Sequence, residues 1–327
     1  MSFLVISLDF ELHWGIFDKV SLAEKKGDFI RTKAVIPKVL EAFERHGVAA
    51  TWATVGMLLT ESSEEWEHYS PEYLPAYQNP QLSPYRWIAQ HAYDPAVHSG
   101  FSLVKQLLQT PNQELGSHTF SHYYTCEPGQ ELEQFRSDLK VARRIAQEKC
   151  GVNLKSLVFP RNQFGQNSLK VCKDEGFTVV RVNPSNWFWK DPQNAGMMDR
   201  IFRTGDTLFP LGKSTSFPTR VVLGSKDSPI QLPASRLLRP YSKTIRPLNK
   251  LRINRIISEM TYAAKHNLAY HLWWHPHNFG HAPEESMREL YQLLDTFTKL
   301  KDQYGMRSVN MGQLAAELKS KKSFGLI

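Results

Sequence analysis

Two acidic residues, Asp9 and Glu11, follow the first apolar run of the chain at residues 3–8. Residues two apart on a strand point to the same side, so these carboxylates and His13 are predicted to converge where the strand ends. Ligands of α/β proteins bind at the carboxyl ends of parallel strands. The pair therefore indicates a catalytic or metal-binding position, with a pair of hydrogen-bonded loop carboxylates as the alternative.

Two histidines, His118 and His122, stand four residues apart in a His-Thr-Phe-Ser-His segment. This spacing predicts a helical turn that carries both imidazoles on one face. Two imidazoles and one carboxylate are the usual protein ligands of a catalytic zinc ion, which keeps a fourth position for water. The same donors also suit Co, Ni and Fe(II), so the motif predicts a divalent metal without fixing its identity.

A third cluster of polar residues ends a late apolar run and contains His275 and His277. His275 follows the run directly, where an imidazole can act as an acid or a base; a histidine packed between tryptophans is the alternative. Arg161 also ends an apolar run, and its guanidinium is suited to hold a carboxylate through two hydrogen bonds.

Short apolar runs alternate with amphipathic helical patterns along the chain. The predicted strands lie at residues 3–8, 48–55, 157–159, 178–182, 220–223, 268–273 and 306–309. The predicted helices lie at residues 34–45, 131–149, 168–175, 254–266, 283–302 and 311–319. This alternation predicts an α/β protein with a parallel sheet, either open or closed into a barrel.

Two segments interrupt the alternation and are predicted to be long loop insertions, at about residues 61–111 and 190–250. Both contain many aromatic residues and prolines, which favours ordered elements that cover a substrate over flexible linkers. No internal repeat or linker divides the chain. We therefore expect a single domain over residues 1–327.

The composition excludes several classes of protein. The chain has 327 residues, 41% of them hydrophobic and 22% charged, which is not typical of a disordered, coiled-coil or membrane-spanning protein. Three irregularly spaced cysteines do not form a disulfide framework. The first apolar run is interrupted by acids and has no cleavage site after it, so we expect a cytoplasmic location.

The positive charge is concentrated in residues 235–255, which contain no acid; the cations there are Arg236, Arg239, Lys243, Arg246, Lys250, Arg252 and Arg255. The stretch favours a phosphate-bearing partner, which is a nucleotide, a lipid-linked sugar or an anionic membrane surface. A solvated surface is the alternative. Nucleic acid is disfavoured because no recognition motif accompanies the charge.

The order of these motifs resembles the polysaccharide deacetylases of carbohydrate esterase family 4, the NodB-homology group. The resemblance covers residues 1–187 and 254–318, and it depends most on the Asp-x-Glu strand end and the His-Thr-Phe-Ser-His segment. It implies a distorted (β/α)7 barrel of the NodB-homology type, with the metal at the mouth formed by the carboxyl ends of the strands.

The resemblance also implies roles for individual residues. Asp9 matches the catalytic base that activates water at the metal, His275 matches the general acid, and Arg161 matches an arginine that braces the base. Glu11 stands where the family usually has an aspartate. The metal ligands implied by the family pattern are Glu11, His118 and His122, with zinc as the first expectation.

Further positions match the substrate pocket of the family. Phe164 stands where a backbone N–H is expected to hold the oxyanion, and Trp187 matches the wall around the acetyl methyl. Asn183 stands where an aspartate often braces the arginine and histidine network, and His277 is an additional imidazole that could support the site. The basic residues assigned to the substrate phosphate are Arg236 and Arg239.

The implied reaction is hydrolysis of an N-acetyl or similar N-acyl group on a sugar. We expect the sugar to be on a nucleotide or lipid carrier in O-antigen or capsule biosynthesis, because residues 233–240 resemble family members found with surface-polysaccharide genes. One alternative is a deformylase or other linear amidase at the same site. The other is a protein that has lost catalysis and binds a sugar or an assembly complex.

Overall fold

The strands are short, and all the pairs between them are parallel. The computed structural model describes residues 1–189, 196–221 and 227–323. Its strands are β1 (Phe3–Phe10), β2 (Ala50–Thr54), β3 (Gln113–Ser117), β4 (Ser156–Val158), β5 (Val179–Val182), β6 (Ile230–Pro233), β7 (Arg236–Leu237), β8 (Ala269–Trp274) and β9 (Arg307–Val309).

The sheet order is β6-β5-β4-β3-β2-β1-β8-β7, and β9 pairs with β1. The two end strands of this order, β6 and β7, are separated in sequence only by Ala234 and Ser235. The N–H of Ala234 donates to Val182 O on β5, and that of Ser235 donates to His271 O on β8. The chain itself therefore closes the sheet, and the predicted distorted (β/α)7 barrel is confirmed.

Helices surround the sheet, and several end at a glycine in the left-handed region, such as Gly47 with φ 62° and Gly151 with φ 67°. The helices are α1 (Leu22–His46), α2 (Ser63–His68), α3 (Pro84–Ile88), α4 (Pro95–His98), α5 (Phe101–Gln109), α6 (Leu132–Cys150), α7 (Gln166–Asp174), α8 (Met197–Gly205), α9 (Arg246–Lys265), α10 (Pro283–Tyr304) and α11 (Met311–Ser323). None of these helices, within the described residues, has both the length and the apolar character needed to cross a membrane.

The interior of the barrel is apolar at one end and polar at the other. On β1, Phe3 and Val5 belong to an inner cluster with buried side chains of α11, whereas Leu4, Ile6 and Leu8 pack against the outer helices. Alternation along the strand then places Ser7 and Asp9 inside the barrel, above the apolar layer. The chemistry-bearing residues of β1 are thus directed to the interior by the period of the strand.

Three local predictions differ from the structure. Residues 118–122 do not form a helical turn, because they follow β3 directly and both Thr119 and His122 have positive φ values. The strand β3 escaped prediction because its sequence is mostly polar. Residues 219–221 of the predicted strand 220–223 form a 3₁₀ turn, whereas residues 222–226 lie outside the described part of the chain.

The two predicted insertions contain different kinds of structure. Residues 61–111 hold the short helices α2 to α5. Residues 190–250 include α8, but they also include the barrel strands β6 and β7. The second insertion therefore ends before Ile230.

Three cations of the basic stretch, Arg236, Arg252 and Arg255, belong to internal ion pairs, whereas Lys243, Arg246 and Lys250 are exposed. Arg236 is buried and binds both Glu259 oxygens, with Nη2–Oε1 at 2.6 Å and Nε–Oε2 at 2.7 Å. It also contacts Asp206, with Nη2–Oδ2 at 3.2 Å. Arg252 binds Glu289 through two hydrogen bonds of 2.6 and 2.7 Å. The acids come from other parts of the sequence, which a local charge count does not reveal.

We expect Arg236→Ala to lower the free energy of unfolding by about 3–5 kcal/mol, because it leaves Glu259 as a buried charge without this partner. Chemical denaturation would measure the change. Arg246→Ala, at an exposed position of the same stretch, is the control and should change stability by less than about 0.5 kcal/mol. A loss below about 1 kcal/mol in Arg236→Ala would contradict this account of the network.

Candidate metal centre and catalytic site

Glu11 and two histidines form the most compact donor cluster of the barrel mouth. Glu11 Oε2 lies 3.1 Å from Nε2 of His118 and 3.1 Å from Nε2 of His122. One ligand atom from each residue lies within 4.8 Å of the others, and all three residues are buried. The structure therefore brings together the three residues that the sequence nominated as metal ligands.

The hydrogen bonding of His118 tests whether these donors fit a metal ion. Its Nδ1 lies 2.8 Å from Val158 O, which can only accept, so Nδ1 carries a proton. In the neutral imidazole the lone pair of Nε2 then faces Glu11 Oε2, and two acceptors repel each other at this distance. A divalent cation between them removes the repulsion, and two imidazoles with a carboxylate are a common donor set for one. Glu11, His118 and His122 therefore fit a divalent metal ion.

The segment between the two histidines is held in an unusual conformation. Thr119 and His122 have φ values of 63° and 56°, a region that non-glycine residues rarely adopt. Buried Asp138 of α6 accepts hydrogen bonds from the N–H of Phe120 at 2.6 Å and of Ser121 at 3.0 Å. It also accepts one from the Ser121 hydroxyl. These bonds offset the strain and fix the direction in which both imidazoles point.

Asp9 is clamped by Arg181, a residue of β5. The two nitrogens Nη1 and Nη2 donate to Oδ1 and Oδ2 of Asp9 at 2.6 and 2.7 Å. Burial alone would raise the pKa of Asp9, but the positive charge and hydrogen bonds of Arg181 outweigh it and hold the pKa below its usual value. Asp9 is therefore an ionised, oriented carboxylate.

The guanidinium of Arg181 is itself supported from several sides. It donates to Ser7 Oγ at 3.1 Å and to Asn162 Oδ1 at 2.9 Å, and its carbon lies 4.2 Å from the ring centre of Trp273. Ser7 Oγ in turn lies 2.9 Å from Nε2 of His271. Burial lowers the pKa of His271 to about 3, so this imidazole is neutral and extends the network without adding charge.

The arginine predicted to brace Asp9, Arg161, contacts other residues. It forms ion pairs with Asp18 and Glu127, the latter at 3.2 Å, and its guanidinium carbon lies 4.0 Å from the ring centre of Tyr124. The hydroxyl of Tyr124 lies 3.1 Å from Nδ1 of His122. Arg161 therefore supports a candidate metal ligand, and the bracing role assigned to it from the sequence is performed by Arg181.

The two histidines after β8 reach the same centre. Nε2 of His275 lies 3.7 Å from Asp9 Oδ2 and 3.7 Å from Glu11 Oε1, and its side chain is 26% exposed. Nδ1 of His277 lies 3.8 Å from Glu11 Oε1 and has no hydrogen-bond partner among the described residues. Burial lowers the pKa of His277 to about 4, so the imidazole is neutral.

Asn183 and Phe164 lie at the ends of neighbouring strands. Nδ2 of Asn183 donates to Asn162 O at 3.1 Å, so Asn183 contacts the same residue that accepts from Arg181. The ring of Phe164 stacks on Phe159 at 5.2 Å, and within the described chain its N–H has no acceptor.

Four other nominated residues lie outside this cluster. His13 bonds to His98, with Nδ1–Nε2 at 3.2 Å, in an aromatic pocket. Trp187 is 55% exposed and contacts Phe188 and Phe202. Arg239 lines a small cavity with Trp273, and Arg236 belongs to the ion-pair network described above. His13 therefore does not converge with Asp9 and Glu11, and the substrate contacts of Trp187, Arg236 and Arg239 stay predictions.

Sequence reasoning missed Arg181 and Asp138. Arg181 carried a usable signal, because a charged residue inside the apolar run of β5 requires a buried partner. Asp138 lies on the buried side of an amphipathic helix, where the same argument applies. Pairing either residue with its partner requires the three-dimensional structure.

The fold and this cluster define a parallel α/β barrel with paired carboxylates and histidines at its mouth, the class to which deacetylase barrels belong. The family model for polysaccharide deacetylases matches residues 16–180. The chain belongs to the polysaccharide deacetylase family, as predicted. Membership of this family supports the activity of a carbohydrate deacetylase.

Similar solved structures extend over the whole chain. A structure named as a polysaccharide deacetylase from Mycobacterium smegmatis aligns with a TM-score of 0.61 and 11% identity, over 98% of this chain and 91% of that chain. A 4-alpha-glucanotransferase from Thermococcus litoralis aligns with a TM-score of 0.53 and 12% identity, over 97% and 38% of the two chains. At these identities the likeness concerns the fold alone. Comparison with curated proteins gave no match.

Gly15 generates a testable prediction, because a side chain there would overlap the Glu11 carboxylate. We expect Gly15→Ala to displace Glu11 and to weaken zinc binding by about 10- to 100-fold, as for other losses of support around a metal ligand. Competition with a chelator would measure the affinity. Gly27→Ala in α1 is the control and should leave it unchanged. Equal zinc affinity in Gly15→Ala and wild type would contradict this account of how Glu11 is positioned.

Proposed function

We propose that the protein is a metal-dependent hydrolase that removes an N-acetyl or similar N-acyl group from a sugar. The observation that carries the proposal is the convergence of Glu11, His118 and His122 with Asp9 and His275 at one barrel mouth. A divalent cation held by the first three residues would polarise the amide carbonyl and lower the pKa of water. Zinc is the first candidate for this cation.

In this proposal Asp9 accepts the proton of the attacking water. Arg181 occupies one direction on each Asp9 oxygen, but a carboxylate offers about four acceptor positions. Oδ2 is the oxygen that faces His275. A lone pair of Oδ2 thus remains available on the side where the other reactive groups lie, and Arg181 keeps the carboxylate from rotating.

His275 is assigned the opposite task of delivering a proton to the leaving amine. It is the most exposed of the clustered residues, so a substrate can reach its ring. The N–H of Phe164 is assigned to the oxyanion, since it is not used inside the described fold. One such donor typically contributes about 3 kcal/mol to the transition state.

A cavity of about 560 Å³ adjoins the cluster and is the proposed place of the sugar. His277 belongs to both, since it lines the cavity and lies 3.8 Å from Glu11. The walls combine aromatic with polar side chains, including Phe29, Tyr241, Ser242, Asn278 and His281. A cavity with apolar walls and a few converging polar groups is typical of a small-molecule site.

Two lysines make this cavity suitable for a phosphate-bearing substrate. Lys25 and Lys243 both line it, and Lys243 is exposed. Asp28 lies beside Lys25 at 3.2 Å and neutralises part of the charge. We therefore propose that Lys25 and Lys243, and not Arg236 and Arg239, contact the phosphate of the carrier. A nucleotide- or lipid-linked sugar of O-antigen or capsule biosynthesis, handled in the cytoplasm, remains the proposed substrate.

A linear amidase that removes another acyl group, such as formyl, is the second candidate. The chemistry of Asp9, His275 and the metal donors is the same for both, so a panel of N-formyl and N-acetyl sugars separates them. Equal metal binding without release of any acid would instead favour a protein that binds sugars.

We expect Asp9→Asn to lower kcat by about 100- to 10,000-fold, because the amide cannot accept the proton. Acid released from a panel of N-acylated nucleotide sugars would measure the rate. Zinc content should remain at the wild-type level, which separates loss of the base from loss of the metal. Retention of more than a tenth of the activity would contradict the assignment of Asp9.

We expect Lys25→Ala combined with Lys243→Ala to raise KM for a nucleotide sugar about three- to tenfold with little change in kcat. Exposed charge contacts are each worth about 0.2–1 kcal/mol. Lys250→Ala, an exposed substitution in α9 outside the cavity lining, is the matched control. An unchanged KM in the double variant would move the phosphate away from this cavity.

A further inference from the structure

Helix α8 and the loops beside it expose a group of large apolar side chains. These side chains, which we call the α8 patch, are between 49% and 78% exposed: Trp187, Met197, Met198, Ile201, Phe209 and Leu211. No residue of α8 is buried. Single exposed apolar residues are ordinary on a protein surface, but a group of this size indicates a contact surface.

Several contacts join the members of the patch. The ring of Trp187 lies 5.0 Å from that of Phe202, which is one helical turn after Met198. Leu211 packs against Gly205, which is one turn after Ile201. Trp187, Leu211 and Lys213 line a single open cavity of about 470 Å³. The apolar side chains therefore form one surface.

The α8 patch is attached to the barrel mouth that carries the candidate site. Its Trp187 follows the carboxyl end of β5, the strand that supplies Arg181. The guanidinium carbon of Arg203 in α8 lies 4.6 Å from the ring centre of Trp189, and both residues line a cavity with Trp273. Trp273 in turn lies against the Arg181 that holds Asp9.

Among described residues 196–213, the exposed charged side chains are all cations. Arg200 and Lys213 are exposed, whereas the two acids in the same range, Asp199 and Asp206, are not. Asp199 accepts the N–H of Gly196 at the start of α8, and Asp206 is buried with Arg236. The surface therefore offers apolar side chains together with positive charge, and it is complementary to an anionic surface.

We propose that the α8 patch docks on the surface of an anionic lipid bilayer. An amphipathic helix with apolar side chains on one side, basic residues nearby and a tryptophan at its edge is suited to the boundary between headgroups and acyl chains. Docking would bring the barrel mouth to the membrane. Docking itself does not depend on the proposed function. Only its biological role, access to a sugar on a lipid carrier, rests on that function.

The proposal is tested by co-sedimentation of the full chain with lipid vesicles. One set of vesicles is pure phosphatidylcholine, and the other also contains about 30 mol% phosphatidylglycerol, which gives a negative surface potential. We expect binding to the anionic vesicles and a fall in binding as salt rises. Met197→Gln combined with Ile201→Gln should lower the partition coefficient at least about tenfold. Lys213→Gln alone should lower it about fivefold on anionic vesicles.

The control variant is Ile30→Gln combined with Leu251→Gln, two exposed apolar residues on α1 and α9 outside the patch, and it should bind as wild type. Absence of binding to the anionic vesicles would overturn the proposal. It would also be overturned if Met197→Gln and Ile201→Gln abolish a dimer in sedimentation velocity without changing vesicle binding, which would assign the patch to a second copy of the chain.

Failure of this inference is distinguishable from failure of the proposed function. Glu11→Ala removes a candidate metal ligand and should still bind vesicles. The double variant of α8 should still release acid from a water-soluble nucleotide sugar. In the wild-type chain, vesicle binding without release of acid would contradict the proposed function alone, and release of acid without vesicle binding would contradict this inference alone.

Discussion

The buried ion pair between Asp9 and Arg181 connects more of the site than any other contact. Charges removed from water are costly unless their hydrogen bonds are satisfied, and here the carboxylate is held at both oxygens. The guanidinium also reaches Ser7 on β1 and Asn162 after β4, and Ser7 contacts His271 on β8. One charge pair thus fixes the relative positions of four strands at the mouth, so the geometry around Asp9 depends on it.

The positions of the acids could be predicted from sequence because the period of a strand is short and strict. Residues two apart on a strand share a face, so Asp9 lies on the same side of β1 as Phe3 and Val5, which the structure places inside the barrel. The arginine could not be assigned in the same way. Arg161 and Arg181 both occur near the ends of apolar runs, and only the sheet order decides which of them faces Asp9. Family likeness chose the wrong one because a short pattern contains no distances.

The basic stretch illustrates a different limit of sequence reasoning. Seven cations without an adjacent acid suggested an open anion site, yet Arg236 and Arg252 are neutralised by Glu259 and Glu289. Glu259 lies on α9 beyond the end of the basic stretch, and Glu289 lies on α10. Local charge counts ignore such pairs. The cations that remain exposed are a better guide to binding than the number in the sequence.

The backbone strain at the barrel mouth supports the interpretation of Glu11, His118 and His122 as metal donors. Of the seven non-glycine residues with positive φ in the described chain, five belong to this region: Leu12, Thr119, His122, Arg161 and Asn162. Such conformations persist only where surrounding bonds outweigh their cost, as those of Asp138 do. The resulting arrangement directs the imidazoles of His118, His122, His275 and His277 at Glu11. A chain that only needed to fold would gain nothing from this concentration of donors, whereas a cation-binding centre requires it.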